Sequence, residues 1–254
     1  QSSNPILANE SLFGALQEAQ PAPQTATVSG VINKTTALVL AAVVAGAGGY
    51  SLAVNPAMVT ILWAVSGITA LVLFFTMRRA VTIKPPVAFI YAITQGAFLG
   101  ALSRGLEGIL ASQGIQMAGG SLALQAFVVT AGMVVTMLVL YRARIIRPTA
   151  MFLSIITSLV AGIAVVYLIT IVLSLFGVAM PFISINSALQ GGSAAYIGLG
   201  LNAAILIIAA LTLIMDFGQI EAAVDSRAPS SVEWYLAFGL TGSMVWIFFE
   251  SLKL

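Results

Sequence analysis

The sequence lacks two residue types on which much protein chemistry depends, since its 254 residues include no cysteine and no histidine. Without cysteine the chain forms neither a disulfide nor a thiolate, so cysteine usage says nothing about its redox compartment. Without histidine, transition-metal sites are disfavoured, and the Ser/His and Cys/His catalytic pairs are excluded. We therefore expect neither an enzyme nor a bound cofactor, and no nucleic-acid partner.

Charge is also scarce, and apolar residues take its place. Only 7% of the residues are charged and 60% are hydrophobic, with a mean hydropathy of +1.07. A membrane-spanning helix needs roughly 20 apolar residues, because it rises about 1.5 Å per residue across about 30 Å of hydrocarbon. The chain contains seven such runs, near 35–54, 57–77, 86–106, 121–141, 150–176, 193–215 and 234–252. The sequence thus predicts an all-α, polytopic membrane protein with the lipid bilayer as its first partner.

The basic residues cluster in alternate connections between the predicted spans. Seven of them precede the first span or follow the second and the fourth: Lys34, Arg78, Arg79, Lys84, Arg142, Arg144 and Arg147. The opposite connections, 54–56, 104–120 and 177–192, contain Arg104 as their one basic residue. Because basic loops stay in the cytoplasm, seven spans place the N-terminus inside and the C-terminus outside.

The chain divides into a polar start and an apolar remainder. Residues 1–33 are rich in Ala, Gln, Ser and Pro and cannot bury enough apolar surface to fold alone. They lack the basic start and apolar stretch of a secretory signal. We predict a disordered cytoplasmic tail at 1–33 and a seven-helix transmembrane domain at 34–254.

Small residues and aromatic residues mark packing and interfaces. Small residues four positions apart allow two helices to approach closely in lipid, and they occur in the first and third spans as Ala42/Gly46, Ala45/Gly49, Gly96/Gly100 and Ala97/Ala101. Aromatic residues fall at span ends, where an interfacial belt is expected: Tyr50, Tyr141, Trp234 and Tyr235. We assign these aromatic residues no chemistry.

Asp216 directly follows the sixth apolar run, in a chain with few charges to place there. We predict a loop over 216–233, with a partly re-entrant segment as the alternative. Asp216 then either caps a helix end or lies in the headgroup layer, where an ionised carboxylate costs little, or it lies in a narrow crevice between helices. In the crevice, desolvation would let its protonation respond to pH near neutrality, which would make it a proton-sensitive latch.

A stripe of small and polar residues leads along the sixth span to Asp216. Its members follow one another at spacings of 4, 3, 4, 3 and 4, which places them on one helix face: Gly198, Asn202, Ile205, Ala209, Thr212 and Asp216. The last span carries a second stripe, at spacings of 4, 3 and 4: Gly239, Ser243, Trp246 and Glu250. We expect the two stripes to meet inside the bundle, with Asn202, Thr212 and Ser243 as polar contacts.

Five other acids are candidate partners of the Asp216 gate: Glu107, Glu221, Asp225, Glu233 and Glu250. Glu221 and Asp225 do not share a helix face with Asp216, so loop folding would have to bring them to it. An intramembrane aspartyl protease would need two carboxylates that share one proton. We set that activity aside, because Asp225 is expected in the loop.

Glu107 and Glu250 each have a basic residue three positions away, Arg104 and Lys253 respectively. Each acid either forms a solvated local ion pair of minor energy or faces the bundle. In the second case it becomes a partner of Asp216 or a cation ligand, since carboxylates are the ligands that Ca²⁺ prefers.

Short motifs along nearly the whole chain keep the order and spacing of a known family. They include Ser3-Asn4-Pro5, Gly30-Val31-Ile32-Asn33-Lys34-Thr35 and the more specific C-terminal set Asp216-Phe217, Ile220-Glu221, Ala228-Pro229, Glu233-Trp234-Tyr235, Val245-Trp246 and Leu252-Lys253-Leu254. On these residues the chain resembles the transmembrane Bax inhibitor motif family, specifically its bacterial YccA-like branch.

The resemblance implies a seven-helix bundle with a central last helix, acting as a pH-sensitive Ca²⁺ leak channel in the bacterial inner membrane. In relatives an aspartate matching Asp216 hydrogen-bonds a second aspartate on the final helix. This chain has no aspartate in 234–254, where Glu250 is the one acid. Asp216 therefore carries over as gate and Ca²⁺ ligand, with Ca²⁺ as permeant ion, while its family partner does not.

The resemblance also implies an alternative function. Members of this branch are substrates or modulators of a membrane-bound AAA protease that grips a disordered cytoplasmic tail. Residues 1–33 match such a tail in composition. The same segment would equally serve to dock the protein on a larger membrane assembly.

Overall fold

The computed structural model describes residues 25–77, 82–115, 120–178 and 192–254, and most of these are helical. The seven described helices are α1 (Val28–Leu52), α2 (Pro56–Met77), α3 (Pro85–Ser112), α4 (Leu122–Arg142), α5 (Ala150–Leu175), α6 (Gly192–Asp225) and α7 (Val232–Ser251). Six of the seven are long and apolar enough to cross a membrane, and the remaining one contains the shorter apolar stretch Ala57–Leu73. The predicted all-α membrane class is therefore confirmed.

Local sequence signals set several helix starts. Thr27, Ser121 and Thr149 cap α1, α4 and α5, each through a side-chain oxygen that accepts a backbone N–H three residues on. In α3 the first two residues are Pro85 and Pro86, at positions where a missing N–H costs nothing.

The first helix begins earlier than the predicted first span, at Val28, so residues 28–33 of the predicted tail are helical. The segment before it is also attached to the bundle, because Ala26 N–H donates to the Ala228 carbonyl and Thr25 bridges Pro229. Val31 is fully buried, which explains why this stretch folds with the domain. Residues 1–24 make up the rest of the predicted tail, for which we predicted partner binding. They lie outside the described residues.

The sixth helix ends later than predicted. It continues through the first half of the expected loop and ends at Asp225. Residues 217–225 include Glu, Gln and Ala, which favour helix although they lower hydropathy. The helix ends where Arg227 adopts a left-handed backbone with φ of 52° and Pro229 follows. The predicted loop at 216–233 shrinks to the few residues between α6 and α7.

The predicted small-residue contacts hold α1 and α3 together. A Cβ built on Gly96 would collide with the backbone of Ala42, and one built on Gly100 would collide with the backbone of Gly46. Gly49 meets the backbone of Ala97 in the same way. The two helix backbones are therefore in direct contact, and van der Waals attraction between backbone atoms stabilises the pair.

The last helix packs against four others, α1, α3, α4 and α6. Its contacts lie in the main apolar core, where Leu213, Ile214, Ala237 and Ile247 are fully buried. In contrast, α5 packs mainly on α6 and presents large apolar side chains outward. Such a surface suits contact with lipid chains.

Candidate functional site

Asp216 lies inside α6 and not at its end, so it does not cap the helix. The helix has 34 residues, which makes it about 51 Å long, well above the hydrocarbon thickness. Asp216 is half-buried, and its Oδ2 atom is buried with no hydrogen-bond partner. The Ser243 side chain, on α7, lies next to the Asp216 carboxyl. The carboxyl group therefore lies at the contact between two helices.

The two predicted stripes meet around this contact. Thr212 Oγ1 lies 3.3 Å from Ser243 Oγ and 2.6 Å from the Ala209 carbonyl. Thr212, Ser243 and Asp216 thus form a polar chain across the α6–α7 contact, which we call the Asp216–Ser243 contact.

The stripe residues outside this contact divide into buried and exposed ones. Along α6, Asn202 is buried, and its Oδ1 has no hydrogen-bond partner. Ile205 and Ala209 on the same face are also buried, as predicted. On α7, Gly239 is exposed, so the predicted stripe does not face inward there.

The five candidate partners of Asp216 are all placed elsewhere. Glu221 is exposed and accepts a hydrogen bond from the Tyr141 hydroxyl. Asp225 is exposed at the C-terminal end of α6. Among the described residues no group of three or more acids comes together as a metal site would require. Asp216 therefore offers one carboxylate to a cation.

Glu233, at the start of α7, instead joins that helix to α1. It is buried, forms an ion pair with Lys34, and accepts hydrogen bonds from Thr27 N (2.8 Å) and Thr27 Oγ1 (3.1 Å). The Lys34 ammonium also lies 5.5 Å from the centre of the Trp234 ring. Glu233 thus connects the first turns of the two helices.

Glu107 faces the bundle and does not form the local ion pair with Arg104. It is buried and accepts hydrogen bonds from the Tyr50 hydroxyl and from Leu122 N (2.8 Å). The Arg104 guanidinium instead lies 3.3 Å from the Tyr50 hydroxyl oxygen. Glu107 therefore ties α3 to the end of α1 and the start of α4.

Glu250 does form the local ion pair with Lys253, at 2.6 Å, and the pair is buried and not solvated. Tyr167 Oη and Trp246 Nε1 donate to Glu250 Oε1 at 2.6 and 3.0 Å. Burial lowers the pKa of Lys253, and the neighbouring Glu250 carboxylate opposes that shift. This buried cluster ties α5 to the end of α7, far from Asp216.

Two kinds of polar contact were missed by reasoning from the sequence. Tyr50 and Tyr141, assigned to the interfacial belt alone, each bind an acid on another helix. Ser66 on α2 and Gln95 on α3 form a buried pair, with Ser66 Oγ 2.9 Å from Gln95 Oε1 and Gln95 Nε2 3.2 Å from the Ser66 carbonyl. A glutamine within an apolar span is the signal that could have revealed the second contact.

The long apolar helices and the interhelical polar contacts define a polytopic integral membrane protein. A family model described as Bax inhibitor 1 like matches residues 4–254. The chain therefore belongs to this Bax inhibitor family, and the resemblance found in the sequence is confirmed at that level. No curated protein and no solved structure matches the chain.

Proposed function

We propose that this protein is a pH-sensitive cation leak channel in which the Asp216–Ser243 contact is the latch between α6 and α7. The observation that carries the proposal is the buried Asp216 Oδ2 atom, which has no hydrogen-bond donor at a contact between two helices. At this contact the chain has one carboxyl group, that of Asp216, where the family pattern would use two. The last helix, packed on four others, is suited to transmit a change at that carboxyl.

The chemistry follows from what ionisation does to that oxygen. A neutral carboxyl group tolerates an apolar site, whereas a buried carboxylate oxygen without a donor costs several kcal/mol or more. Water, a cation, or separation of the two helices relieves that cost. Protonated Asp216 should therefore favour a closed α6–α7 contact, and ionised Asp216 should favour a hydrated, conducting one.

Asp216 is the carboxyl group that we expect to respond to pH, because the nearby acids are bound by other residues. Glu221 is bound by Tyr141, Glu233 by Lys34, and none of the described carboxylates contacts Asp216. Ca²⁺ is the permeant ion we propose, because the Thr212, Ser243 and Asp216 oxygens at this contact are of the kind that a hard cation prefers.

We further infer that all seven helices cross the membrane, with the N-terminus in the cytoplasm. The arginines after α4 support this orientation through the bias of basic loops toward the cytoplasm. Similarity to the YccA-like branch favours the bacterial inner membrane.

The test is Ca²⁺ flux from liposomes containing the purified protein, measured between pH 5.5 and pH 8. Flux should rise with pH in the wild type. Asp216→Asn mimics the protonated carboxyl, so its flux should stay low at every pH. Ser243→Ala removes the hydroxyl next to Asp216 and should shift the pH of half-maximal flux.

Asp225→Asn is the matched control, because it makes the same chemical change at an exposed aspartate of the same helix. Its pH profile should follow that of the wild type. Absence of flux at all pH values, or an Asp216→Asn profile identical to the wild type, would exclude this function.

A further inference from the structure

A large cleft lies beside the Asp216–Ser243 contact and is not explained by it. The cleft has a volume of about 1010 Å³ and lies between α1, α4, α6 and α7. Phe217 and Gly218 line it, whereas Asp216 does not. The residues that line it include the start of α1 and the ends of α4 and α6, which lie at the same end of the bundle.

The inner wall of the cleft is largely apolar, and all four helices contribute to it. Ile32 comes from α1, Val134 and Leu138 from α4, Phe217 and Ile220 from α6, and Leu240 and Met244 from α7. Ile32 and Leu138 are 53% and 41% exposed, so apolar surface remains uncovered by protein. Val134 lies two turns before the end of α4, so the apolar wall reaches about 12 Å from the rim.

The rim of the cleft is basic. Arg142, Arg144 and Arg147 line it, all three are exposed, and none forms an ion pair with any described residue. Two carboxylates, Glu221 and Asp225, share the rim, so the arginines still outnumber the acids. The cytoplasmic bias of basic residues accounts for arginines in this connection, but it does not account for an open cavity behind them.

A buried hydroxyl points to a ligand within the cleft. Thr35 lines the cavity, is only 5% exposed, and its Oγ1 has no hydrogen-bond partner. Buried hydroxyl groups are normally paired, because leaving one unpaired costs about 1–3 kcal/mol. Within the described part of the chain, no side chain supplies the partner. An acceptor or donor from a bound molecule would satisfy it.

We propose that this cleft binds one anionic phospholipid. Its phosphate lies among the three arginines, one acyl chain follows the apolar wall, and an ester carbonyl accepts a hydrogen bond from Thr35. Arginine binds phosphate through paired N–H donors, and basic pockets between membrane helices suit anionic headgroups. An acidic peptide would match the arginines but would leave the apolar wall uncovered.

The test compares lipids added to the purified full-length protein in a neutral detergent. Phosphatidylglycerol and phosphatidylcholine with the same acyl chains are titrated, and bound lipid is counted by native mass spectrometry while the unfolding temperature is recorded. Phosphatidylglycerol should bind one per chain and raise the unfolding temperature, and phosphatidylcholine should do neither. Both readouts are independent of ion flux, so failure of the leak proposal would not affect them.

Three variants separate the parts of the site. Replacing the rim arginines with glutamine should weaken phosphatidylglycerol binding roughly fivefold for each arginine removed. Ile32→Trp fills the cleft without changing its charge and should abolish phosphatidylglycerol binding. Thr35→Val removes the hydroxyl donor and should weaken that binding. Lys84→Gln, which removes an exposed charge outside the cleft, is the matched control and should bind as the wild type does.

Three outcomes would overturn the proposal. Binding that survives both the arginine replacements and Ile32→Trp would place the lipid elsewhere. Equal protection by glycerol 3-phosphate would mean that the rim takes a free phosphate and the apolar wall is unused. A lipid response that appears only after residues 1–24 are deleted would assign the cleft to the chain's own N-terminal segment.

Discussion

At the residue scale, the acids of this chain act mainly as ties between helices. Glu233 holds α1 to α7, Glu107 holds α3 to α1 and α4, and Glu250 holds α5 to α7. In a bundle where lipid surrounds the helices, apolar burial alone does not select one partner helix over another. Charged and hydrogen-bonded contacts supply that selectivity. This explains why several of the few charged residues in this chain lie at contacts between helices.

The Glu250–Lys253 pair gives a direct test of this role. Glu250→Gln leaves the buried Lys253 ammonium without its counter-charge, which should lower the free energy of unfolding by about 3–5 kcal/mol. The double variant with Lys253→Met removes both charges and should recover much of the loss. Unfolding in mixed micelles with increasing sodium dodecyl sulfate measures both.

Glu221→Gln is the control for this prediction, because Glu221 is exposed. Its unfolding should differ from the wild type by less than about 1 kcal/mol. A Glu250→Gln variant as stable as this control would show that the buried pair contributes nothing to the fold.

The sequence predicted the Asp216–Ser243 contact because helical spacing places Thr212 and Asp216 on one face and Ser243 on the facing helix. It did not predict the partners of Glu107 or Glu233, nor Tyr167 as a partner of Glu250. Those partners lie on helices far apart in the chain, and their meeting depends on interhelical distances that periodicity does not encode. Periodicity fixes a direction around one helix, not which helix stands opposite.

At the element scale, the α1–α3 contact depends on glycines that no other residue can replace. Gly100→Ala would place a methyl group against the Gly46 backbone, so the helices must separate. We expect a loss of about 1–3 kcal/mol in the free energy of unfolding, the cost of overpacking a close contact. The same micelle titration measures it.

Gly108→Ala is the matched control within α3, because nothing lies within 4 Å of the added methyl group. This change should leave stability unchanged or raise it by up to about 1 kcal/mol, since alanine favours helix over glycine. Similar losses in both variants would mean that the close contact with α1 is not what requires glycine at position 100.

The helix boundaries show where hydropathy and helix propensity diverge. The middle of each span was predicted well because its apolar run decides both membrane insertion and helix formation. The start of α1 and the end of α6 were missed because Lys34 and Glu221 lower hydropathy without ending a helix. Their charges are met by Glu233 and Tyr141, which only the folded bundle brings near.

At the scale of the whole molecule, the absence of cysteine makes the proposed orientation easy to test. Single cysteines are introduced at Asn55 and Ser226, both exposed and in connections at opposite ends of the bundle. In intact bacterial cells a membrane-impermeant maleimide should label Asn55→Cys, and it should label Ser226→Cys only after lysis. The wild-type chain is the blank.

Labelling of both cysteines from the outside would contradict an odd number of crossings between them. The reverse pattern would place the arginines after α4 outside the cell, against the bias of basic loops. It would also move the opening of the lipid cleft to the outer leaflet.

The attachment of the N-terminal segment has a mechanical consequence. Thr25 bridges Pro229, Ala26 bonds Ala228, and Lys34 pairs with Glu233, so the start of the described chain is fastened to the residues that lead into α7. Tension applied at the N-terminus would reach α7 directly, without first travelling the length of α1. A partner that pulls on this segment would therefore exert force on α7, the helix that contains Ser243.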